Sequence, residues 1–167
     1  MKRSKKIIAA VLAAVASCAA IWMFFYIRDH NARDLRRLVS ELEDIAAKRP
    51  GRSNALALLD AASPERIFAQ QVTVRSDRPA IDRTFEVKEL AQLLVTMKKS
   101  CRSMQLDFSI ESIAADGGQA EISGDALFTG DSGKGSFREA RMVVLQCRKS
   151  SGRWKICGVV ISRLIAK

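Results

Sequence analysis

The residue types that most often carry acid–base and metal chemistry are scarce in this chain of 167 residues. Its only histidine is His30 and its only tyrosine is Tyr26, so neither type occurs beyond residue 30. The four cysteines lack the paired C-x-x-C spacing of a zinc site, and no histidine lies near them. We therefore expect neither a metal site nor a cofactor.

Carboxylates are the remaining candidates for proton transfer, and the period of the surrounding strands predicts where they point. Apolar and polar residues alternate over 104–110 and again over 120–126. Four carboxylates fall on the polar phase, which faces away from the apolar side of a sheet: Asp107, Glu111, Glu121 and Asp125. Ile113 falls out of phase, which indicates a β-bulge near Glu111-Ser112, and a bulge can turn a side chain into a pocket. Glu111 is thus the one candidate acid or base.

Glu139, with Arg138 and Arg141 close in sequence, forms a second charged group. It lies either at the rim of a pocket or in a solvated surface pair, which contributes little to stability. No pattern gives any of these carboxylates the partly buried site that raises the pKa of a general acid. The residues therefore favour binding over catalysis.

Helical segments are predicted ahead of the strands. Apolar residues at helical spacing predict helices over residues 35–46, 53–59 and 87–97. Asp29 or Asn31 is the expected N-cap of the first helix, and Ser63-Pro64 starts a short turn. Leu93 and Met97 are counted among the buried positions of the last helix. These segments must position the sheet that follows.

Strand patterns dominate the second half of the chain. Residues 71–75 alternate as a half-buried strand, and the polar stretch 76–83 is expected to be a connection. Beyond residue 103, long antiparallel strands are joined by turns at Asp116-Gly117-Gly118 and Ser150-Ser151-Gly152. Helices followed by such a meander predict an α+β fold with a curved antiparallel sheet around the helices.

The last hairpin has two cysteines on its arms. A three-residue loop pairs Lys149 with Arg153 and makes Cys147 and Cys157 diagonal neighbours, a poor geometry for a disulfide. We expect two buried free thiols, and a disulfide is the alternative.

The same hairpin is apolar on both faces. In the expected register Val159 and Ile161 lie on the face turned away from Trp154 and Ile156. Strands that are apolar on both sides are usually covered on both sides. Either a second copy of the chain, giving a homodimer through the last hairpin, or the first helix covers the second face.

The order of elements resembles that of the nuclear transport factor 2-like superfamily, which includes SnoaL-type cyclases and ketosteroid isomerases. The closing Gly152-Arg153-Trp154-Lys155-Ile156 and the segment from Leu58 to Val74 carry the resemblance, which covers about residues 30 to 167. It implies a cone-shaped domain with a pocket between helices and sheet. The apolar phase of the strands and the last helix indicates the lining: Leu90, Leu94, Leu106, Phe108, Ile110, Ile122 and Trp154.

Enzymes of this superfamily place Asp, Tyr or His in the pocket, and no Tyr or His follows residue 30 here. We therefore expect a non-catalytic domain that binds an apolar ligand or scaffolds an envelope protein complex. The architecture is similar to that of the inner-membrane scaffold subunit of type IV secretion systems. The alternative is a cyclase- or isomerase-like enzyme that uses a pocket carboxylate.

The N-terminus predicts a membrane anchor. Residues 7–27 form a run without charge, Pro or Gly that, at ~1.5 Å rise per residue, is long enough to cross a bilayer. We predict a basic cytoplasmic leader over 1–6, a single transmembrane segment over 7–27 and an NTF2-like domain over 28–167. The protein would then lie in the inner membrane with its domain outside the cytoplasm.

Two alternatives stay open for this segment. Val15-Ala16-Ser17-Cys18 resembles a bacterial lipobox, in which Cys18 is lipidated after cleavage. Cleavage after Ala16 would instead release a secreted domain. The long apolar stretch up to Ile27 favours the uncleaved anchor over both.

The net charge of +10 includes four cations in the leader: Lys2, Arg3, Lys5 and Lys6. The other basic residues are spread along the chain, so no nucleic-acid groove is expected. The cluster from Arg28 to Arg37 is suited to contact anionic lipid headgroups.

Overall fold

The computed structural model describes residues 29–48, 64–77 and 79–163. The predicted anchor over 7–27, with Cys18, and the predicted helix over 53–59 lie outside the described residues. Within the described residues, no helix is long and apolar enough to cross a membrane. The described residues from Leu35 onward belong to one compact unit.

The described part of the chain folds as α+β, with two helices packed on a curved, six-stranded mixed sheet. Helix α1 covers residues 29–46, and helix α2 covers Val87–Ser100. A short 3-10 turn, Pro64–Arg66, follows the expected Ser-Pro signal. The strands are β1 Phe68–Asp77, β2 Ala80–Glu86, β3 Ser103–Asp116, β4 Gln119–Asp131, β5 Ser136–Ser150 and β6 Arg153–Arg163.

The sheet has the order β2-β1-β6-β5-β4-β3. β1 and β6 run parallel, and every other neighbouring pair is antiparallel. The last strand in sequence therefore lies in the middle of the sheet, between the β1–β2 hairpin and the β3–β4–β5 meander.

Helix α1 forms where the apolar spacing predicts it. Leu35, Leu38 and Val39 are at most 5% exposed, and all three belong to the hydrophobic core. The expected N-cap at Asp29 or Asn31 is wrong, because the helix already includes both residues.

Helix α2 also forms as predicted, but its buried face differs from the expected one. A reciprocal capping box between Glu86 and Glu89 starts the helix, with the Glu86 N–H donating to Glu89 Oε2 at 3.2 Å. In the later turns Leu93 and Met97 are 48% and 42% exposed, whereas Lys98 is only 2% exposed. The expected burial of Leu93 and Met97 is therefore wrong.

The face of the sheet that carries Ile122, Leu145 and Ile156 is called the concave face here, and the opposite face is the convex face. These three side chains are at most 1% exposed and form the centre of the core. The register places them in neighbouring rows across β4, β5 and β6.

Strand β2 corrects the expectation that residues 76–83 form a connection. Its residues pair with β1 from Ala80–Asp77 through Glu86–Gln71. Six of its seven side chains are exposed, so this edge strand lacks the apolar alternation that identifies a half-buried strand.

Strand β3 contains the predicted bulge. The register shifts between Ile110 and Ser112, which leaves Glu111 as the extra residue. Ile113 then returns to the concave face, opposite Ile122. The out-of-phase isoleucine in the sequence is explained by this bulge.

The β5–β6 hairpin closes with a two-residue turn. Ser151 and Gly152 have φ values of 50° and 78°, as a type I′ turn requires. Lys149 consequently pairs with Trp154. The expected pairing of Lys149 with Arg153 is wrong, because a two-residue turn replaces the expected three-residue loop.

Strand β6 contains a second bulge, which the sequence analysis missed. The register shifts at Gln146 and Cys147 of β5, where β6 has an extra residue, Cys157. The bulge reverses the phase of the strand, so Val159 and Ile161 lie on the concave face and pack against the core. The expectation that they face away from the core is wrong.

Candidate functional site

Most of the residues predicted to line a pocket belong to a filled interior. Ile122 and Trp154 are 0% and 5% exposed. Partly buried side chains pack against the same core: Leu90, Leu106, Phe108 and Ile110. Leu94 is also partly buried. Within the described residues, most of the predicted lining therefore belongs to the hydrophobic core.

A cavity of about 570 Å³ lies at one end of the sheet, beside the C-terminal end of α1. Its apolar lining consists of Ala47, Met104, Leu106 and Phe137, and its charged lining of Glu43, Asp44, Lys48, Asp107 and Asp131. Of the predicted pocket residues, Leu106 is the one that lines it. Apart from Asp107, sequence reasoning missed the charged residues, because they come from three separate elements and share no motif.

Lys48 connects this cavity to two elements. Its backbone pairs with Met104 of β3 through hydrogen bonds of 2.6 and 3.0 Å. Its ammonium group donates to the carbonyls of Lys98 and Cys101, at 2.5 and 2.6 Å. A cation is favourable there because the last carbonyls of a helix lack partners within the helix and carry partial negative charge. Lys48 thus fixes the end of α2 to the edge of the sheet.

The carboxylates around the cavity are held by hydrogen bonds. Glu43 accepts the Phe108 N–H, Asp107 accepts the Gln105 amide at 2.8 Å, and Asp131 accepts the Gly133 N–H at 2.7 Å. The lining carries four acidic side chains and one basic one. A ligand with a cationic group and an apolar body fits this lining best.

The carboxylates singled out from the sequence lie elsewhere, except for Asp107. Glu111 is exposed on the β3 bulge, and Glu121 is exposed on the convex face. Asp125 is partly buried and pairs with Met142 on that same face. Glu111, the candidate acid or base, therefore does not line the cavity described here.

Glu139 and Arg141 share the phase of Val143 and Leu145, which is that of the concave face. The Arg141 Nε–H donates to Glu139 Oε1 at 2.9 Å. The Arg141 side chain is 27% exposed and that of Glu139 is 54% exposed, and neither residue lines the cavity described above. Arg138 lies on the opposite face.

The thiols of Cys101, Cys147 and Cys157 are free in the structure. Burial, with a smaller contribution from Cys157, raises the pKa of the Cys147 thiol to about 12. Cys147 is therefore a protonated, unreactive core residue at neutral pH. Cys157 is only partly buried, which differs from the expectation that both are buried.

The described residues contain no cluster of three or more His, Cys, Asp or Glu side chains placed to hold a metal ion. His30 is the only histidine among them.

The indole N–H of Trp154 is buried and has no hydrogen-bond partner among the described residues. The face of the Trp154 ring contacts a cation, because Lys149 Nζ lies 5.5 Å from the ring centroid.

The convex face carries an apolar stripe across its three central strands. The stripe consists of Leu127 on β4, Ala140, Met142 and Val144 on β5, and Val160 on β6. Register places them on one face, because Leu127 pairs with Ala140 and Val144 pairs with both Ser123 and Val160. Ala140 is exposed and the others are partly buried. None of these five residues belongs to the hydrophobic core cluster of the described residues.

No protein-family profile matches the chain, and no curated protein matches it. Solved structures do match. The Kfla4162 protein from Kribbella flavida has a TM-score of 0.71 at 10% identity, over 84% of this chain and 95% of that one. An NTF2-like protein with a cystatin-like fold from Novosphingobium aromaticivorans has a TM-score of 0.63 at 8% identity, over 83% and 84%.

An NTF-2 like protein of unknown function from Shewanella oneidensis has a TM-score of 0.57 at 17% identity, over 79% of this chain and 98% of that one. Identities this low show the fold alone. The chain therefore has the NTF2-like fold that its element order indicated, and the comparisons assign it no activity.

Proposed function

We propose that this protein is a membrane-tethered, extracytoplasmic NTF2-like domain without a catalytic role, and that it scaffolds an envelope protein complex. The observation that carries the proposal is the burial of the concave face. Ile122, Leu145 and Ile156 are at most 1% exposed and pack in the hydrophobic core of the described residues. This burial favours a function at the surface of the domain over ligand binding in its interior.

The apolar stripe on the convex face supports the scaffold. Isolated apolar residues on a surface need no explanation, but a contiguous row that crosses three strands is typical of an interaction site. Met142 and Val144 lie at its centre. The stripe is rigid, because every residue in it belongs to a paired strand, and a rigid surface loses little entropy on binding.

The tether is proposed from the sequence. The uncharged run over 7–27 favours an anchor in the inner membrane, with lipidation at Cys18 as the alternative. Either arrangement would hold the domain at a membrane surface, in the same plane as the other proteins of the complex.

Binding of a small ligand is the second candidate, and the cavity beside α1 favours it. Leu106 and Phe137 supply apolar contact, and the surrounding carboxylates attract a cation. A cyclase- or isomerase-like enzyme would need one of these carboxylates, such as Glu43, to move a proton. Glu43 already accepts the Phe108 N–H, which favours a structural role for it.

Site-specific photo-cross-linking in the native membrane separates these functions. A photoreactive residue replaces Met142 on the stripe in one variant and Gln105 at the cavity in another. The control replaces Leu93, which is exposed on α2 and away from both surfaces. The scaffold predicts protein adducts that depend on light from position 142 and none above background from position 93.

Two outcomes would reject the scaffold. The first is the lack of protein adducts at position 142. The second is a small-molecule adduct at position 105 with no protein adduct at 142, which would favour the ligand-binding function. Conversion of a substrate that is lost in Glu43→Gln would favour the enzyme.

A further inference from the structure

The two edges of the sheet are protected to different degrees. On β3, the backbone of Met104 bonds to that of Lys48. The Glu43 carboxylate accepts the Phe108 N–H, and a bulge lies at Glu111. Such contacts and bulges are ways in which native proteins blunt an edge strand. Within the described residues, β2 at the other edge pairs with β1 alone, in a regular register without a bulge, and its sequence contains neither Lys nor Pro.

The register of the β1–β2 hairpin identifies the backbone groups of β2 that point away from β1. Asp77 pairs directly with Ala80, only three positions later in the chain, so these two residues exchange their own N–H and C=O groups. Alternate residues from Ala80 onward therefore bond to β1, and Ile81, Arg83 and Phe85 direct their backbone groups outward. Among the described residues, these outward groups have no backbone hydrogen-bond partner.

The charges of β2 disfavour pairing with a second copy of the same strand. Edge-to-edge pairing about a two-fold axis perpendicular to the sheet runs the two β2 strands antiparallel and keeps each face on its own side. Because β2 has seven residues, only three such registers overlap by five residues or more. They place Asp82 opposite Asp82, Arg83 opposite Arg83, or Asp82 opposite Glu86. Like charges directly opposite are destabilising, so a different chain is the better partner.

The side chains of β2 also indicate the chemistry of that partner. Ile81, Arg83 and Phe85 share one face of the strand, and Asp82 lies on the other. The Arg83 side chain is 62% exposed, and its ion pair with Glu89 at 3.4 Å is a surface pair that contributes little to stability. An incoming strand therefore fits with an acidic residue opposite Arg83 and a basic residue opposite Asp82. Apolar residues suit the positions opposite Ile81 and Phe85.

We propose that the open edge of β2 binds an extended segment of a different protein, which adds a seventh strand to the six-stranded sheet. Backbone hydrogen bonds at the three outward positions supply the affinity. The order apolar, acidic, apolar on one face of the segment, with a basic residue on the other face, supplies the specificity. The apolar stripe lies on β4, β5 and β6, so this inference does not depend on the scaffold function proposed for the stripe.

The test uses two peptides of identical composition and the full chain in detergent micelles. The matched peptide, Ser-Val-Thr-Glu-Lys-Val-Ser, places its Glu opposite Arg83 and its Lys opposite Asp82 when it pairs antiparallel to β2. The swapped peptide, Ser-Val-Thr-Lys-Glu-Val-Ser, reverses both pairs. Microscale thermophoresis of the labelled full chain measures the dissociation constant of each peptide, up to ~1 mM.

Three variants complete the design. Asp82→Lys with Arg83→Glu exchanges the two charges of the edge. Arg83→Pro removes one outward N–H and leaves the bonds to β1 in place, because the N–H of residue 83 points away from β1. Leu93→Ala, at an exposed position of α2, is the control.

We expect the wild type to bind the matched peptide ~5-fold or more tightly than the swapped one, because two attractive cross-strand pairs replace two repulsive ones. The charge-exchanged variant should show the opposite preference, which also shows that its edge is folded. Arg83→Pro should lose binding of both peptides, whereas Leu93→Ala should keep the wild-type dissociation constants.

Equal binding of the two peptides by the wild type, or binding of neither, overturns the inference. Hydrogen exchange that finds the Arg83 amide protected in the free protein also overturns it, because another part of the chain would then occupy the edge. A wild-type dimer that Arg83→Pro dissociates would identify a second copy as the occupant, again against the inference. None of these results alters the cross-link expected at position 142, so the scaffold is tested separately.

Discussion

The carboxylate of Glu43 on α1 accepts the backbone N–H of Phe108 on β3 at 2.7 Å. β3 is an edge strand of the sheet, and exposed edge N–H groups invite pairing with other chains. A helix side chain satisfies one of these groups here, and Lys48 pairs with Met104 four residues earlier. The edge is thus protected by the end of α1.

Replacing Glu43 should weaken this protection. Glu43→Ala leaves the partly buried Phe108 N–H without its acceptor, so the free energy of unfolding should fall by ~1–3 kcal/mol. Glu43→Gln keeps an acceptor oxygen and should lose less. Urea denaturation measures both, and Asp44→Ala, which removes an exposed neighbour, is the control. Equal effects of Glu43→Ala and Asp44→Ala would contradict the assigned role.

Gly124 has a packing requirement that Gly158 lacks. A Cβ at Gly124 would collide with the backbone carbonyl of Ser109, whereas one at Gly158 would meet the flexible side chain of Gln146. Gly124→Ala should therefore lower the free energy of unfolding by ~1–3 kcal/mol or more, and Gly158→Ala by clearly less. The midpoint of urea denaturation distinguishes them. The reverse order would show that the two strands can separate at Gly124.

Trp154 should be a major contributor to stability. It is 5% exposed and belongs to the core, so Trp154→Ala should cost ~3–5 kcal/mol. In a Trp22→Phe background, where Trp154 is the one remaining tryptophan, its fluorescence should be blue-shifted. Emission at the wavelength of exposed tryptophan in the folded protein would be incompatible with this packing.

Cys147 should make stability depend on pH in alkaline solution. Its pKa is about 12 in the folded state and about 8.5 in an unfolded chain. Between these values the unfolded state has lost a proton that the folded state keeps, so the free energy of unfolding falls as pH rises.

The difference between wild type and Cys147→Ala isolates this contribution across the alkaline range. Cys157→Ser is the matched control and should keep most of the pH slope. Iodoacetamide at pH 8 should also alkylate Cys157 before Cys147, because Cys147 is buried and protonated. Faster modification of Cys147 would refute its placement in the core.

The anchor has its own test. The full chain should stay with membranes during carbonate extraction, and a fragment that starts at Asn31 should be soluble. Intact mass separates the alternatives, because only the lipoprotein loses residues 1–17 and gains acyl mass at Cys18. Recovery of the intact, unmodified chain from the soluble fraction would reject both forms of tether.

The fold class and most elements could be predicted because apolar periodicity is strong in the long strands. The bulge at Glu111 was visible for the same reason, since Ile113 breaks an otherwise regular alternation. The bulge at Cys157 was invisible, because residues 156–161 are apolar or small in either phase. A one-residue shift there moved Val159 and Ile161 to the other face.

The cavity could not be predicted, because it depends on where the end of α1 meets the sheet. Glu43 and Lys48 look like ordinary solvent-facing residues of a helix end, and their partners are distant in sequence. The burial of Lys98 could not be predicted either, because Met97 is the more hydrophobic side chain and yet is the more exposed of the two. Tertiary contacts decided these positions.

The position of β6 constrains the order in which this domain can assemble. Among the strands of the described residues, the β1–β2 hairpin and the β3–β4–β5 meander share no pairing, and β6 alone bridges them. The sheet thus stays in two separate pieces until the final strand, Arg153–Arg163, has left the ribosome. Such late, long-range pairing is slow, so the nascent chain remains unfolded for longer than a local helical bundle would.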